Sequence, residues 1–278
     1  MFCFFILSYL CRASFLLLSF VLLLVLVLLW IILGTDYSQP APFDTASPPF
    51  AAGSSRPSAR STPTQDKPTS IQNVRAVLTH LPALAGISIA LWASAANELV
   101  NLIFGVWLED SFGLKITALA GASAVIGLSE LSGEGLVALT TDRLGKPRAL
   151  ALGLTGNIVA SLLLPFVGTT APGALVGLFL FYITFEYVLV SHIPLMTEVM
   201  PGARATLLSF NVTGHSLGRM IGALVATFIY QRFGFLPVAL TAILFNGFAL
   251  LALAELTQKI VLVPRILAWF ARTKRREA

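Results

Sequence analysis

Two stretches of this chain share one pattern: GEGLVALTTDRLG at residues 133–145 and GALVATFIYQRFG at residues 222–234. Each contains a glycine, nine residues, an arginine, one residue and a second glycine, and the two stretches lie 89 residues apart. Each ends the second of three consecutive apolar runs, so the runs form two groups of three. If the runs cross a membrane, an odd number of crossings inverts the second group, and inverted repeats are typical of secondary transporters.

The composition places most of the chain in lipid. Of 278 residues, 56% are apolar and 11% are charged, with a mean hydropathy of +0.86. Soluble domains contain roughly a quarter charged residues, so a soluble domain and a disordered chain are both excluded. The two cysteines, Cys3 and Cys11, lie in an apolar run, where a disulfide scaffold has no purpose. The net charge of +5 lies between apolar runs and at the C-terminus, which indicates membrane orientation and not nucleic-acid binding.

Seven apolar runs reach the length of about 20 residues that a helix needs to cross a bilayer. The first is too long for the apolar core of a signal peptide, which has about 7–15 residues, so we expect a retained helix. The predicted fold is an all-α polytopic transmembrane bundle of about seven spans, the last six forming a 3+3 inverted repeat. The spans are predicted at 13–33, 84–107, 116–140, 149–168, 174–196, 205–229 and 236–256.

Residues 34–70 differ from the rest, because 7 Pro, 7 Ser and 5 Thr make up 19 of 37 positions. Such a segment cannot bury enough apolar surface to fold and is predicted to be a disordered linker. The predicted domains are an N-terminal transmembrane helix at 1–33, a Pro/Ser-rich cytoplasmic linker at 34–75, a six-helix transporter half at 76–258 and a basic cytoplasmic tail at 259–278.

Lysine and arginine fall mainly on one side of the predicted bundle. Fourteen lie in the linker, after the third and fifth spans and in the tail, against three on the other side, Arg12, Lys115 and Arg232. Because cytoplasmic loops are rich in basic residues, the linker and the C-terminus are predicted to be cytoplasmic and the N-terminus outside. We expect a multi-pass protein of the plasma or inner membrane, whose basic tail also contacts anionic lipid.

The segment DRLGKPR at residues 142–148 resembles the Asp-Arg-x-Gly-basic-basic loop signature of the major facilitator superfamily. Residues 204–209, 216–219 and 230–234 are similar to the eleventh helix and exit loop of its bacterial drug and sugar efflux members. The resemblance implies that residues 76–256 are the C-terminal six-helix half, that the linker joins the halves and that 13–33 is helix six. Ala138 replaces the first glycine of the loop signature, and helices one to five have no counterpart.

The loop motif comprises Asp142, Arg143, Gly145, Lys146 and Arg148. Gly145 permits a tight turn, Lys146 and Arg148 hold the loop in the cytoplasm, and Asp142 is expected near the start of the next helix, where the helix dipole favours a carboxylate. One interpretation is a turn with topology signals. The resemblance implies another, in which the loop is a latch between the halves that favours the outward-open state.

Seven ionisable side chains fall within predicted membrane depth, where each is costly unless it is paired, neutral or in water. They are Glu98, Glu130, Glu134, Glu186, His192, His215 and Arg219. Helical spacing places Glu98 on a polar stripe with Asn101, and Arg219 on another with His215 and Asn211. We expect Glu98, Glu186, His215 and Arg219 near the middle of the bilayer, and Glu130 and Glu134 toward its cytoplasmic side.

Arg219 keeps its proton and needs an anion, for which Glu98 or Glu186 is the expected partner. Burial of the remaining carboxylates favours their protonated form. We therefore predict that Glu98 or Glu186 carries a proton, with Glu130 and Glu134 as secondary candidates. The alternative is a set of structural ion pairs, with Glu130 and Glu134 reaching the membrane surface. The predicted substrate and proton path is lined by Glu98, Asn101, Glu186, Asn211, His215 and Arg219.

The segment GHSLG at residues 214–218 fits the nucleophile elbow of α/β-hydrolases, which requires a strand before a helix. Here it lies inside an apolar run, and its glycines recur every four residues, as in closely packed helices. His192 precedes Pro194 and is interpreted as structural. No His or Cys spacing suits a metal, so we expect no enzyme, no metal site and no cofactor.

The predicted function is secondary transport of a small molecule across the lipid bilayer by proton-coupled alternating access, as in drug or sugar efflux. Trp92, Phe181 and Tyr187 are compatible with either substrate class. Three alternatives stay open. The first is a partial permease that lacks its N-terminal half and cannot transport alone. The second is a half-transporter that pairs with a second half or with itself. The third is an intramembrane enzyme.

Overall fold

Membrane-length helices make up nearly all of the part of the chain that the structure describes. The computed structural model describes residues 70–114 and 116–257, without the side chains of Ser70 and of residues 116–118. The predicted span at 13–33, the linker before residue 70 and the basic tail lie outside the described residues. Six of the described helices are long and apolar enough to cross a membrane. The polytopic all-α bundle is thus confirmed for this part of the chain.

The six membrane-length helices coincide with the last six predicted spans and extend beyond most of their ends. A shorter helix precedes them, and a 3-10 turn at Pro201–Ala203 follows the helix that ends at Val199. The helices are α1 (Ser70–Thr79), α2 (Leu81–Phe112), α3 (Ile116–Leu144), α4 (Lys146–Val167), α5 (Ala171–Val199), α6 (Arg204–Phe233) and α7 (Phe235–Leu256).

The two matching stretches of sequence end α3 and α6 in the same way. Gly145 follows α3 with φ 82° and Gly234 follows α6 with φ 77°, in the left-handed region that favours glycine. Their N–H groups donate to the carbonyl oxygens of Thr141 and Tyr230, each at 2.9 Å. Each glycine leads directly into a helix of 22 residues, α4 or α7. The repeat in the sequence is therefore a repeated helix–turn–helix.

Helix packing follows the same division into two groups, α2–α4 and α5–α7. Exchanging the groups maps α2 onto α5, α3 onto α6 and α4 onto α7. α6 packs extensively on α2, and correspondingly α3 packs on α5. Likewise α7 packs on α2, and α4 packs on α5. In addition, α2 packs on α5 and α4 on α7. An approximate two-fold axis between two inverted groups requires this pattern.

A buried amide pair joins α4 to α7 at equivalent positions. Asn246 donates from Nδ2 to Asn157 Oδ1 at 2.8 Å, and the two residues are 89 apart in sequence, which is the offset of the repeat. Asn157 also donates to the Phe181 carbonyl oxygen at 2.8 Å. Both amides are buried. Because buried polar groups are stable only when hydrogen-bonded, the pair fixes how α4 and α7 align.

Two glycines let α3 and α6 approach their neighbours backbone to backbone. A Cβ atom at Gly133 would lie 2.8 Å from a carbonyl oxygen of α5 and 2.8 Å from Glu186 Cβ. A Cβ atom at Gly222 would lie 2.5 Å from a carbonyl oxygen of α2 and 2.8 Å from Glu98 Cβ. These are the first glycines of the two matching stretches. The repeat thus places the side-chain stem of a glutamate over each of them.

A short helix, α1, precedes the first membrane-length helix. It begins at Ser70, the last residue of the stretch predicted to be disordered, and overlaps the end of the predicted cytoplasmic linker at 34–75. Val77 is fully buried in a cluster with Met196 and Leu207, which lie on α5 and α6. The end of the predicted linker is therefore helical because this apolar contact stabilises it, which the composition of the whole segment obscures.

The glycine contacts predict opposite effects for two neighbouring substitutions in α3. Gly133→Ala places a methyl group against the α5 backbone, and such overpacking costs about 1–3 kcal/mol. Gly135 has open space around its Cα, so Gly135→Ala should gain up to about 1 kcal/mol of helix propensity. The thermal unfolding midpoint of the purified chain in detergent measures both. We expect it to fall for Gly133→Ala and to stay level or rise for Gly135→Ala; equal effects would contradict the packing.

Candidate functional site

An ion pair joins α2 to α6 near the middle of both helices. Arg219 Nε donates to Glu98 Oε2 at 3.1 Å. Of the two partners considered for Arg219, the structure therefore selects Glu98. The Glu98 side chain is 12% exposed, whereas that of Arg219 is 64% exposed. Pairing compensates two charges that hydrocarbon would otherwise penalise.

Hydrogen bonds extend from this ion pair to α5. Asn101 donates to Glu98 Oε2 at 3.5 Å, and the Tyr182 hydroxyl donates to Asn101 Oδ1 at 2.9 Å. Tyr182 is buried. The network therefore connects α2, α5 and α6.

Glu186 lies at the same level on α5 but has no cation beside it. The residue is 9% exposed, and its stem crosses α3 at Gly133. On α3, Gly133 lies between Glu130 and Glu134. Within the described residues its carboxylate forms neither an ion pair nor a hydrogen bond. The structure thus brings three of the predicted carboxylates together.

Glu130 lies at the midpoint of its helix. It is fourteen residues from each end of Ile116–Leu144, and Arg219 is near the midpoint of Arg204–Phe233. That Glu130 and Glu134 lie toward the cytoplasmic side of the bilayer stays a prediction, because α3 continues four residues past the predicted end of its span at 140. Glu134 is one turn nearer the Gly145 end.

A second polar cluster lies one turn from the ion pair. Ser94 Oγ of α2 is 2.6 Å from His215 Nδ1 of α6. The His192 ring of α5 stands edge-on to that of His215, with centroids 6.0 Å apart. His192 is 1% exposed, and its ring nitrogens make no hydrogen bond among the described residues. His192 thus adjoins the predicted path, although the sequence suggested only a structural role.

Asn211, the remaining residue of the predicted path, is buried one turn before His215, and its Oδ1 has no hydrogen-bond partner among the described residues. On the opposite side of the ion pair, a cleft of about 630 Å³ separates α2 from α6. It is lined by Leu102, Thr227, Asp110 and Tyr230, among others. The polar groups therefore extend along α6 on one side of the ion pair, and the cleft extends toward Gly234 on the other.

Among the residues that the structure describes, no group of three or more His, Cys, Asp or Glu side chains is placed to hold a metal ion. His192 and His215 are only two potential ligands, whereas transition-metal sites in proteins usually have at least three.

Of the loop motif between α3 and α4, only Gly145 lies outside a helix. Asp142 and Arg143 are exposed in the last turn of α3, and Lys146 forms an ion pair with Glu198 at the end of α5. Arg148 lies in the first turn of α4. The expected position of Asp142 at the start of a helix is wrong: Gly145 precedes α4, and no side chain caps that helix.

The GHSLG segment lies within α6 and has no strand before it. A Cβ atom at Gly214 would lie 3.0 Å from the Ile87 carbonyl oxygen, and one at Gly218 would lie closer still to the Leu91 carbonyl oxygen. These glycines therefore let α6 pack against α2, as the four-residue spacing predicted. The hydrolase elbow is excluded by the helical backbone at Ser216.

Several site residues were not predicted from the sequence. The pairing of Ser94 with His215 was not predicted, and Tyr182 was not considered. Asn157 and Asn246 were also missed. Their separation of 89 residues, equal to the offset of the matching stretches, was a signal in the sequence that could have identified them.

Comparison with known proteins gives two matches and one negative result. The family model described as "Major Facilitator Superfamily" matches residues 1–223. An "Uncharacterized MFS-type transporter YceJ" of Bacillus subtilis (strain 168) is 26% identical over 183 residues, which cover 63% of this chain and 46% of that protein. This chain thus spans about half the length of the curated relative that it matches. No solved structure matches it.

The six membrane-length helices, their repeated packing and the loop at Gly145 agree with these matches. Since the family model covers most of the 278 residues, the assignment rests on the greater part of the chain. The chain is a multi-pass membrane protein that belongs to the Major Facilitator Superfamily of transporters.

Proposed function

We propose that this chain moves a small molecule across the cell membrane by proton-coupled alternating access, as in drug or sugar efflux. The observation that carries the proposal is the Glu98–Arg219 ion pair, which lies half-way along two membrane-length helices with Arg219 64% exposed. A guanidinium at that depth costs at least about 2.5 kcal/mol in hydrocarbon. Its exposed side must therefore face water or protein.

The surface of α6 supports a water-filled path on that side. Residues near Arg219 on the helix surface are small or polar and include Ser216 and Ala223, whereas Leu217 and Phe228 lie on the opposite flank of its exposed face. By contrast, α4 has no ionisable residue after Arg148, and α7 has none before Glu255. We place the path among α2, α3, α5 and α6, with Glu98 or Glu186 carrying the proton.

The path residues favour a polar substrate among the two classes considered. Asn101, Asn211 and His215 offer uncharged hydrogen-bonding groups beside the ion pair. The aromatic residues are engaged in packing: Trp92 contacts Phe245 and Phe248 of α7 with centroids 5.2 and 5.0 Å away. An apolar drug would therefore meet few aromatic surfaces here, and we favour a sugar-like molecule.

We place the Gly145 end of the bundle in the cytoplasm, because the basic residues of the sequence gather on that side. There the ion pair of Lys146 with Glu198 ties the start of α4 to the end of α5. The exposed Asp142 and Arg143 are then available to a second set of helices, as a latch between halves requires.

A second candidate is a six-helix unit that transports only together with another unit. Two observations favour it. The chain covers 46% of its Bacillus relative, and α3 and α6 leave large surfaces uncovered, including the exposed Glu130, Glu134 and Arg219. The second unit would be the other half of a permease or a second copy of this chain.

Proton coupling predicts that removal of a carboxylate uncouples transport from the pH gradient. We expect Glu98→Gln or Glu186→Gln to lower pH-driven flux at least tenfold in proteoliposomes, because the neutral amide cannot exchange a proton. Radiolabelled arabinose and the dye ethidium represent the two substrate classes. Glu109→Gln, at the end of α2, is the matched control and should retain the flux. Unchanged flux in both site variants would contradict proton coupling.

Pairing between copies predicts cross-linking through the uncovered face of α6. In a chain with Cys3 and Cys11 replaced by serine, Met220→Cys lies at the middle of that face, 54% exposed. We expect oxidation in native membranes to give a covalent dimer. Val159→Cys, 43% exposed on α4, is the control and should stay monomeric. A monomer for both, with a monomer mass in detergent, would eliminate the homodimer and leave pairing with a different half.

A further inference from the structure

Contacts with the two repeat glycines give Glu98 and Glu186 equivalent places in the two groups, although these residues lie 88 and not 89 positions apart. The stem of Glu98 lies over Gly222, and the stem of Glu186 lies over Gly133, each with the glutamate Cβ 2.8 Å from where a glycine Cβ would be. The two glycines are equivalent in the matching stretches. The two-fold relation of the helix packing therefore extends to the side chains at the centre of the bundle.

The groups that face the two glutamates carry opposite charges. Arg219 lies three residues before Gly222, and the residue three before Gly133 is Glu130. Arg219 and Glu130 also lie at or near the midpoints of α6 and α3. The position that supplies a cation to Glu98 thus supplies a second carboxylate to Glu186.

Side chains at these positions can reach each other. In one group Arg219 Nε and Glu98 Oε2 are 3.1 Å apart. In the other, Glu186 Cβ lies over Gly133, and Glu130 is three residues from Gly133 on the same helix, where Cβ atoms are about 5–6 Å apart. A second carboxylate beside a buried one disfavours ionisation of both, which favours one retained proton.

We propose that Glu186 and Glu130 share one proton and form the proton-binding site of this chain, whereas Glu98 and Arg219 form a permanent ion pair. The proposal rests on the proposed function. It replaces the two alternative proton carriers, Glu98 and Glu186, with the single pair of Glu186 and Glu130. The proton moves from water to a carboxylate oxygen of the pair and leaves by the same oxygen, with no other bond changed.

The surroundings of Glu186 support this assignment. It is 91% buried and unpartnered within the described residues, and its stem points across α3 between the levels of Glu130 and Glu134. Glu130 is exposed on the uncovered face of α3. The buried member holds the proton away from water, and the exposed member gives the proton a route in and out.

The other ionisable groups around the pair do not supply a cation to it. α3 contributes Glu134, α2 contributes Glu98 and α6 contributes Arg219, which is engaged by Glu98. α6 also carries His215, which is bonded to Ser94. α4 has no ionisable residue beyond its first turn. On α5 itself the groups are Tyr182, Tyr187 and His192, and the Tyr187 hydroxyl is hydrogen-bonded to Thr140.

Infrared spectroscopy of the purified full-length chain tests the pair without any substrate. At neutral pH we expect a carboxylic-acid C=O band, identified by its shift in deuterated water. Glu186→Gln should remove the band because the buried member is gone. Glu130→Arg should also remove it, because an arginine there reproduces the role of Arg219 and makes an ion pair with Glu186. Glu134→Gln, one turn away, should retain it.

The band persisting in Glu186→Gln or in Glu130→Arg would overturn the proposal, as would its absence from the unmodified chain. If Glu130→Arg does not yield a monodisperse protein, Glu186→Gln alone decides the outcome. The test is separate from transport. If the infrared bands behave as expected but no pH-driven flux is measured, the proposed function is refuted and the proton site stands. If pH-driven flux survives Glu130→Arg, the proton site alone is refuted.

Discussion

The close approach of α6 to α2 at Gly222, and of α3 to α5 at Gly133, is the constraint on which the centre of this bundle depends. Only glycine allows a carbonyl oxygen of the neighbouring helix so near the backbone. This approach places the stems of Glu98 and Glu186 directly over the opposing helix. The side chain three residues before each glycine then faces a carboxylate. The charge chemistry of the site follows from backbone packing.

The same constraint explains why a nearly symmetric fold has an asymmetric site. Helix lengths, turn glycines and packing partners repeat between the two groups, because each must satisfy the same geometry in the bilayer. That geometry does not fix which residue lies near the glutamate. This residue is Arg219 in one group and Glu130 in the other. One group can therefore hold a fixed ion pair while its counterpart holds a carboxylate pair. A transporter that couples two species needs such a difference in role.

Much of the fold could be predicted from the sequence, because apolar length and the Arg-x-Gly stretches report directly on membrane helices and their turns. The partner of Arg219 could not, since Glu98 and Glu186 both lie at mid-helix and only helix packing decides between them. Asp142 was misplaced because it belongs to the last turn of α3 and not to a separate loop. Residues that act through a partner helix, such as Ser94 and Tyr182, give no local signal.

The central claim is that the uncovered polar side of α6 faces water at mid-membrane depth. Ser216 and Leu217 are adjacent in α6, so they lie at the same depth, but Ser216 is on the Arg219 side and Leu217 on the apolar flank. The direct measurement is the rate at which a charged, membrane-impermeant thiol reagent labels Ser216→Cys and Leu217→Cys in native membranes, with Cys3 and Cys11 replaced by serine. Rapid labelling of Ser216→Cys and slow labelling of Leu217→Cys is the predicted result. Equal rates, or labelling of neither, would contradict a water-filled path beside Arg219.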